Sequence, residues 1–217
     1  MPVQTHLRQL DLFKPANHNA EINIIGAGAT GSILAFFLTK MGCNNIKIYD
    51  FDFVEEHNFS NQLFKRQDLN LYKAEQTSKI CEDFSGVKIK FENCKYEKQA
   101  LKGIVVIGVD TMKCRKEIFE YCKTMKDVHW VIDPRASAEQ YRVYTIDMRL
   151  KCEQAFWEKH YYPDEHSEQT TCTASAIIYG VGFLVSTICN QIKRVLENQS
   201  YYREVIADIT NYMFLTK

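Results

Sequence analysis

Short apolar runs alternate along this chain with longer segments in which apolar residues recur every three or four positions. The short runs are typical of buried strands, and the longer segments are typical of helices with one apolar face. The predicted strands are INIIG, NIKIYD, VKIKFE, IVVIGVD and HWVID, and the predicted helices span residues 30–41, 73–84 and 114–123. Because strands and helices take turns, the pattern predicts an α/β fold with a Rossmann-like, doubly wound, mostly parallel sheet.

The pattern changes after Pro134. The segment EQYRVYTID alternates like a half-exposed strand, and EVIADITNYMF near the end is typical of an edge strand, so we expect an antiparallel edge in the C-terminal part. Between them lie a polar stretch, YYPDEHSEQTTCT, which predicts a loop, and a mainly apolar helix over residues 174–196. Since there are no repeats or long linkers, residues 1–217 are expected to form one domain, with residues 1–20 as an N-terminal arm.

Composition and charge exclude several classes of partner. The 27 basic and 27 acidic residues cancel, so nucleic acid is not the expected partner and no overall field attracts an anionic membrane. The longest apolar stretch is shorter than the roughly 20 residues of a bilayer span, and the N-terminus lacks the apolar region of a signal peptide, which predicts a cytoplasmic protein. The eight cysteines include no C-x-x-C pair for zinc, so they are expected to be mostly structural thiols.

The segment GAGATG follows the first predicted strand and precedes the first predicted helix. Gly26, Gly28 and Gly31 fill the G-x-G-x-x-G pattern, in which the glycines form a tight turn, admit a phosphate and allow close helix packing. Asp50 closes the second strand at the spacing of an acidic residue that binds ribose hydroxyls. The pattern therefore predicts a nucleotide with a free ribose, and it leaves both NAD and ATP open.

Three further stretches, YDFDFVEEHNFSNQLF, LYKAEQTSKI and VIGVDTMKCR, distinguish between these nucleotides. Because these stretches occur in the order and spacing of that family, the chain resembles the ThiF/MoeB family of adenylating enzymes, which includes the adenylation domains of ubiquitin-activating enzymes. The family signature D-x-D-x-V-x-x-x-N is matched by Asp50, Asp52, Val54 and Asn58, and a family glutamine by Gln62. The resemblance covers nearly the whole chain and implies ATP as the bound nucleotide.

The resemblance also assigns two charged residues to the phosphates. Lys73 matches the family lysine that contacts ATP, and Asp110 matches the aspartate that is associated with magnesium. Asn61 stands where the family has an arginine, so part of the phosphate clamp must come from another residue. The basic candidates for that charge are Lys65, Arg66 and Arg115.

Two more residues acquire roles from the resemblance. Arg8 and Gln9 match an RQ pair whose arginine reaches into the partner's site of a dimer, which implies a homodimer. Cys172 precedes a helix rich in small residues, where some family members form a sulfur or thioester bond with the activated partner. A thiol before a helix N-terminus is a credible nucleophile, and a small residue tolerated at a helix start is the structural alternative.

Arg135, in DPRASAEQYRVY, is a candidate contact for a carboxylate or phosphate and equally a surface arginine.

The implied activity is magnesium-dependent adenylation of a carboxylate by ATP, with release of pyrophosphate. The implied partner is a ubiquitin-like or sulfur-carrier protein, or a peptide, with a free C-terminal carboxylate. Three alternatives stay open: an NAD-binding oxidoreductase or sensor, a catalytically weak scaffold subunit that is suggested by Asn61, and an adenylating enzyme for a small molecule or a modified RNA base.

Overall fold

Eight strands form one mixed sheet in the computed structural model, which describes residues 3–166 and 177–217. The spatial order is β3-β2-β1-β4-β5-β6-β7-β8. The pairs from β3 to β5 are parallel and those from β5 to β8 are antiparallel. The strands are β1 (Ile22–Ile25), β2 (Ile46–Tyr49), β3 (Lys90–Glu92), β4 (Gly103–Ile107), β5 (Val128–Ser137), β6 (Gln140–Asp147), β7 (Glu204–Asp208) and β8 (Met213–Thr216).

Helices cover both faces of this sheet. They are α1 (Ala29–Lys40), α2 (Lys73–Ser85), α3 (Met112–Cys122), α4 (Lys151–Lys159) and α5 (Ile178–Leu196). Shorter 3-10 turns span Val3–Gln9, Pro15–Asn17, Glu56–Ser60, Arg66–Asp68 and Asp164–His166. Within residues 3–166 and 177–217, no helix has the length and apolar character needed to cross a membrane.

The core consists of two apolar layers, one on each face of the sheet. Buried residues of α1, α2 and α5 pack on one face, where Ile24 of β1 and Val106 of β4 contribute to the same cluster. The opposite face holds α3 and α4, where the rings of Phe119 and Trp157 stack with 3.9 Å between their centroids. Since neighbouring positions of a strand point to opposite faces, Ile104 and Val106 of β4 join one layer and Val105 and Ile107 the other, as expected for an internal strand. The predicted doubly wound fold with an antiparallel C-terminal edge is confirmed.

Two elements differ from the prediction. Helix α4 was missed because two residues of its buried face, Glu153 and Gln154, are polar and weaken the apolar period. The segment EVIADITNYMF forms a hairpin of β7 and β8 rather than one strand, because Asp208 accepts hydrogen bonds from the backbone and side chain of Asn211 and closes a turn.

Strand β5 also extends beyond the predicted HWVID. It continues through Pro134, whose missing N–H is tolerated because the pairing with β4 ends at Ile132. On its other side β5 pairs with β6 along its length, so the antiparallel half of the sheet is joined directly to the parallel half.

Candidate functional site

The carboxyl ends of β1, β2 and β4 lie side by side along one edge of the sheet. Gly26 donates a backbone hydrogen bond to the carbonyl of Tyr49 (2.8 Å), and Gly108 donates to the carbonyl of Ile25 (2.7 Å). In open α/β sheets, ligands bind in the crevice outside the carboxyl ends of the strands. Near this edge lie the predicted residues Gly26, Gly28, Gly31, Asp50 and Asp110.

The glycine turn is too tight for side chains at its first and third glycines. Gly26 has a φ of +103°, and a Cβ there would lie 2.5 Å from the carbonyl oxygen of Gly108. A Cβ on Gly31 would collide with the carbonyl oxygen of Gly26. By contrast, a Cβ on Gly28 would meet no atom within 4 Å, although Gly28 is the N-cap of α1. The open side of the turn is therefore at Gly28, where a phosphate can approach the positive end of α1.

This difference between the glycines gives a test with a matched control. Gly31→Ala is expected to destabilise the fold by about 3 kcal/mol, because the clash is with backbone. Gly28→Ala is expected to change the free energy of unfolding by less than about 1 kcal/mol but to weaken ATP binding at least about tenfold. Thermal unfolding and calorimetric ATP titration measure the two effects, and unchanged ATP affinity in Gly28→Ala would contradict a phosphate at this position.

Asp50 binds the backbone of the glycine turn. Its Oδ2 accepts a hydrogen bond from the amide of Ala27 (2.6 Å), and its Oδ1 accepts one from the amide of Asp52 (2.7 Å). Burial raises the pKa of this carboxyl group, and the two backbone donors oppose the rise. The side chain thus fixes the turn after β1 against the loop after β2. One carboxylate can accept more than two hydrogen bonds, so these two contacts leave room for the predicted contact with ribose, which stays a prediction.

Lys73 is held beside Asp52 at the start of α2. Its backbone amide donates to the carbonyl of Asp52 (3.0 Å), and its Nζ lies 3.3 Å from the Oδ2 of Asp52. The lysine is only 8% exposed, whereas the side chain of Asp52 is about half exposed. The ammonium group is therefore fixed in place before any ligand binds.

Asn58 and Gln62 lie in the turn that follows this loop. Asn58 is buried, and its Oδ1 accepts a hydrogen bond from the amide of Glu55 (2.9 Å). The carbonyl of Asn58 accepts one from the amide of Gln62 (2.9 Å). Asn58 thus shapes the turn, while the buried Oε1 of Gln62 has no hydrogen-bond partner among the described residues.

The residues proposed to replace the family arginine at position 61 are engaged elsewhere. Lys65 pairs with Asp83 (2.9 Å), which lies ten residues beyond Lys73 on α2 and thus about 15 Å along the helix from that lysine. The guanidinium of Arg66 lies 5.8 Å from the ring centre of Phe59. The contact of Lys65 therefore lies away from the start of α2, and a role of either residue at the phosphates stays a prediction.

Asp110 lies in the short loop between β4 and α3 and is exposed. The loop ends at Thr111, the N-cap of α3, whose side chain accepts a hydrogen bond from the amide of Cys114 (3.2 Å). The carboxylate of Asp164 accepts hydrogen bonds from the next two helix amides, those of Met112 (2.6 Å) and Lys113 (3.1 Å). The first turn of α3 is therefore capped from two elements, and Asp164 is a residue that the sequence analysis missed.

Arg115 was predicted to bind the nucleotide, and in the structure one nitrogen of its guanidinium makes contacts within the protein. Its Nη1 donates to Asp133 (2.5 Å) and to the carbonyls of Ile107 (2.9 Å) and Pro134 (2.8 Å). The arginine is 9% exposed. This nitrogen is committed to β4 and β5, so Arg115 supports the loop of Asp110, and its predicted contact with the nucleotide stays a prediction.

Arg135 shares the carboxylate of Asp133. Its Nε donates to Asp133 Oδ2 (2.9 Å), its Nη1 donates to the carbonyl of His160 (2.8 Å), and Trp157 Nε1 donates to the same Oδ2 (2.8 Å). The guanidinium also lies 4.4 Å from the ring centre of Tyr144. Arg135 is thus buried, which contradicts the surface alternative. Asp133 was missed, although it follows the apolar run HWVI just as Asp50 follows IKIY.

Arg8 lies far from the glycine turn of its own chain. The adjacent Gln9 donates from Nε2 to the carbonyl of Met41 (2.7 Å), at the C-cap of α1. The glycine turn is at the other end of this helix, whose 12 residues span about 18 Å. Arg8 is exposed, so a role in a nucleotide site requires the site of another chain.

Cys172 lies outside the described residues, so its covalent role stays a prediction. The cysteines in the described parts of the chain are free thiols. Burial raises the pKa of Cys43 and Cys122 to about 12 and that of Cys81 to about 11, which leaves these three thiols unreactive near neutral pH.

At this edge a magnesium ion would find exposed carboxylates, among them those of Asp110 and Asp52, rather than a preformed cage. Within residues 3–166 and 177–217, no group of three or more histidine, cysteine, aspartate or glutamate side chains could hold a metal. Magnesium characteristically uses one or two carboxylates together with substrate phosphates and water. Asp110 therefore fits an ion that arrives with a nucleotide.

A cavity of about 270 Å³ lies elsewhere, towards the amino ends of β4 and β5. Its lining includes His18, Gly103, His129 and Arg149 and none of the predicted site residues. Since Asp147 already neutralises Arg149 through two short hydrogen bonds, this cavity offers little free charge to a phosphate. The chemistry converges at the opposite, carboxyl edge.

Comparisons with known proteins identify a family and a shared fold. The family model described as "ThiF family" matches residues 8–215. No curated protein sequence matches the chain. Among solved structures, PaaA has a TM-score of 0.76 at 12% identity, over 99% of this chain and 72% of PaaA.

Escherichia coli MccB in complex with ATP has a TM-score of 0.73 at 12% identity, over 92% of this chain and 64% of MccB. MccB with AMPCPP and MccA has a TM-score of 0.72 at the same identity. The chain thus spans less than two thirds of MccB, and at this identity the similarity shows the shared fold alone. Since the family model covers nearly the whole sequence, this chain belongs to the ThiF family.

Proposed function

We propose that the chain is an ATP- and magnesium-dependent adenylyltransferase that activates the C-terminal carboxylate of a peptide, or of a ubiquitin-like or sulfur-carrier protein. The observation that carries the proposal is the placement of the glycine turn and the Asp110 loop at one sheet edge, in a chain of the ThiF family. Lys73 is tied to the same edge through Asp52 and Asp50.

The chemistry requires charge neutralisation rather than a general base. A C-terminal carboxyl group has a pKa of about 3.5, so it is already ionised at neutral pH and can attack the α-phosphorus of ATP. The bond from this phosphorus to the bridging oxygen breaks, pyrophosphate leaves with the electron pair, and a mixed anhydride of the carboxylate and AMP remains. The residues must therefore align two anions and stabilise the charge on pyrophosphate.

The residues at the edge suit these tasks. The amides near Gly28 and the positive end of α1 can receive phosphate oxygens. The ammonium group of Lys73 is buried, so its interaction with a phosphate is less screened than that of a surface lysine. Asp110 would hold magnesium, which when bound neutralises phosphate charge and favours departure of pyrophosphate.

The class of substrate rests on the family and on the fold neighbours. MccB has been solved with ATP and, separately, with AMPCPP and MccA, so that protein accommodates a nucleotide together with MccA. A shared fold supports, for this chain, a site of the same kind. Cys172 is included in the proposal as the candidate acceptor of the activated carboxylate, while the other thiols named above are too basic to compete.

The proposal includes a homodimer in which Arg8 completes the site of the partner. Arg8→Ala and Asp110→Asn proteins are each expected to lose activity, whereas their mixture should recover about one quarter of it, because one site of each mixed dimer has both residues intact. Pyrophosphate exchange after mixing, with refolding to allow subunit exchange, measures the recovery. The matched control is Arg8→Ala protein refolded alone, in which both subunits of each dimer carry the substitution. If proven mixed dimers recover no activity, Arg8 does not act in the site of the partner.

Exchange of labelled pyrophosphate into ATP tests the proposed function. The assay uses purified protein, magnesium and a panel of ubiquitin-like proteins and peptides with free or amidated C-termini. We expect exchange that requires magnesium and a free carboxylate. ATP binding without exchange by any panel member would favour a scaffold subunit, and preferential saturation by NAD would overturn the nucleotide assignment.

A further inference from the structure

A buried ion cluster lies directly behind the loop of Asp110. Asp133 has no exposed surface, and its two oxygens accept hydrogen bonds from Arg115, Arg135 and Trp157. Arg115 is 9% exposed and Arg135 is 7% exposed. The three charged groups are thus removed from water as a unit, just beyond the point where the pairing of β4 with β5 ends at Ile132.

The charges of this cluster do not balance. One carboxylate serves two guanidinium groups, and Arg135 Nη2 lies 2.8 Å from Asp133 Oδ2 without the geometry of a hydrogen bond. A buried ion pair is on average no more stabilising than apolar side chains of the same volume, whereas a buried charge that loses its partner is strongly destabilising. Such a cluster is therefore better explained by the geometry that it fixes than by stability alone.

The geometry that it fixes is the loop between β4 and α3. Arg115 is anchored at the start of α3, where its amide donates to the carbonyl of Thr111 (3.1 Å), and its guanidinium donates to the carbonyl of Ile107 (2.9 Å). Residues 108–110 therefore lie between two points that one side chain holds together. Asp133 orients that side chain from β5.

We infer that Asp133 is a positioning residue that holds Arg115 so that the loop 108–111 presents Asp110 to the metal-bound nucleotide. The inference rests on the proposed function and deepens it, since it names what keeps the metal carboxylate in place. Asp133 itself is buried and acts through Arg115.

Asp133→Asn keeps the shape of the side chain but removes the charge that both arginines share. Arg115 then loses its strongest contact, and the loop of Asp110 is expected to open more often. Glu204→Gln is the matched control, because Glu204 is also fully buried and paired with two basic residues, Arg142 and Lys217, but lies on β7. Arg115→Lys is a second variant that keeps the positive charge and loses the planar fork.

Hydrogen exchange followed by mass spectrometry measures opening of the loop without any nucleotide. Amide exchange in residues 108–113 is expected to accelerate at least tenfold in Asp133→Asn and Arg115→Lys relative to β1 of the same protein, and to stay unchanged in Glu204→Gln. Equal acceleration in the control, or none in either test variant, would overturn the inference.

ATP titration at graded magnesium concentrations measures presentation of the metal carboxylate. The magnesium concentration that produces half of the maximal change in ATP affinity is expected to rise at least tenfold in Asp133→Asn. ATP affinity without magnesium is expected to change less than twofold. A parallel loss of affinity with and without magnesium would overturn the positioning role. If magnesium does not change the ATP affinity of the wild-type protein, the proposed function fails. The inferred presentation of a metal carboxylate then fails as well, even if hydrogen exchange in residues 108–113 accelerates in the variants.

Discussion

Replacement of Asp110 by asparagine is expected to reduce magnesium-dependent pyrophosphate exchange by about 1,000-fold. The reason is that Asp110 is the exposed carboxylate of the loop between β4 and α3, at the edge where the phosphates are proposed to bind. The substitution keeps the size of the side chain, so the free energy of unfolding is expected to change by less than about 0.5 kcal/mol. Exchange rates over a magnesium titration measure the effect.

Asp127→Asn is the matched control for this substitution. Asp127 is also an exposed aspartate beside a strand, but it lies at the amino end of β5, on the opposite edge of the sheet. It is expected to retain full exchange activity. Wild-type exchange in Asp110→Asn at every magnesium concentration would remove the metal role from Asp110.

Replacement of Lys73 by alanine is expected to slow exchange by about 100- to 1,000-fold. Lys73 is only 8% exposed and its ammonium group is already paired with Asp52, so it needs little reorganisation to stabilise charge on a phosphate. ATP affinity is expected to fall less than the exchange rate, because a charge that develops on pyrophosphate is stabilised more in the transition state than in the bound state.

The control for Lys73 lies on the same helix. Lys79 is exposed and pairs with Glu75 four residues earlier, so Lys79→Ala removes the same charge from α2 without touching the site. Equal exchange rates in the two alanine variants would show that Lys73 is only a structural residue at the start of α2. A ratio of at least about 100 between them supports its role at the phosphates.

The parallel half of the fold was predictable because its signal is local. Gly103–Ile107 is apolar throughout and Ile22–Ile25 is apolar except at Asn23, as expected for strands covered on both faces, and the glycines that follow Ile25 mark the turn into α1. The edge strands were less predictable, since the boundary between β7 and β8 depends on one turn closed by Asp208.

The candidate site also contains residues that were predictable from local sequence spacing and residues whose contacts depend on the fold. Gly26, Asp50 and Lys73 stand at fixed distances in the sequence, and the structure ties them to one edge. The contacts of Arg115 could not be deduced, because Arg115 is on α3 and its partner Asp133 is 18 residues away on β5, and the two become neighbours only when β4 and β5 pair. A single sequence shows the charge of Arg115 but not the direction of its side chain.

Asn58 illustrates a second limit. Its position in the family signature favoured a ligand, and its residue type favoured a turn. The structure shows that the side chain accepts a backbone hydrogen bond from Glu55, which explains a structural need for asparagine. The same residue can still contact a nucleotide through its amide group, so its predicted role in binding stays a prediction.

The most direct test of the central claim follows one oxygen atom. The substrate that supports exchange is prepared with 18O in its C-terminal carboxylate and incubated with ATP, magnesium and hydroxylamine as the acceptor. If the carboxylate attacks the α-phosphorus, cleavage of the anhydride at the carbonyl carbon leaves one 18O atom in AMP, which mass spectrometry detects. Unlabelled AMP, or ADP with the label in inorganic phosphate, would contradict carboxylate adenylation by this chain.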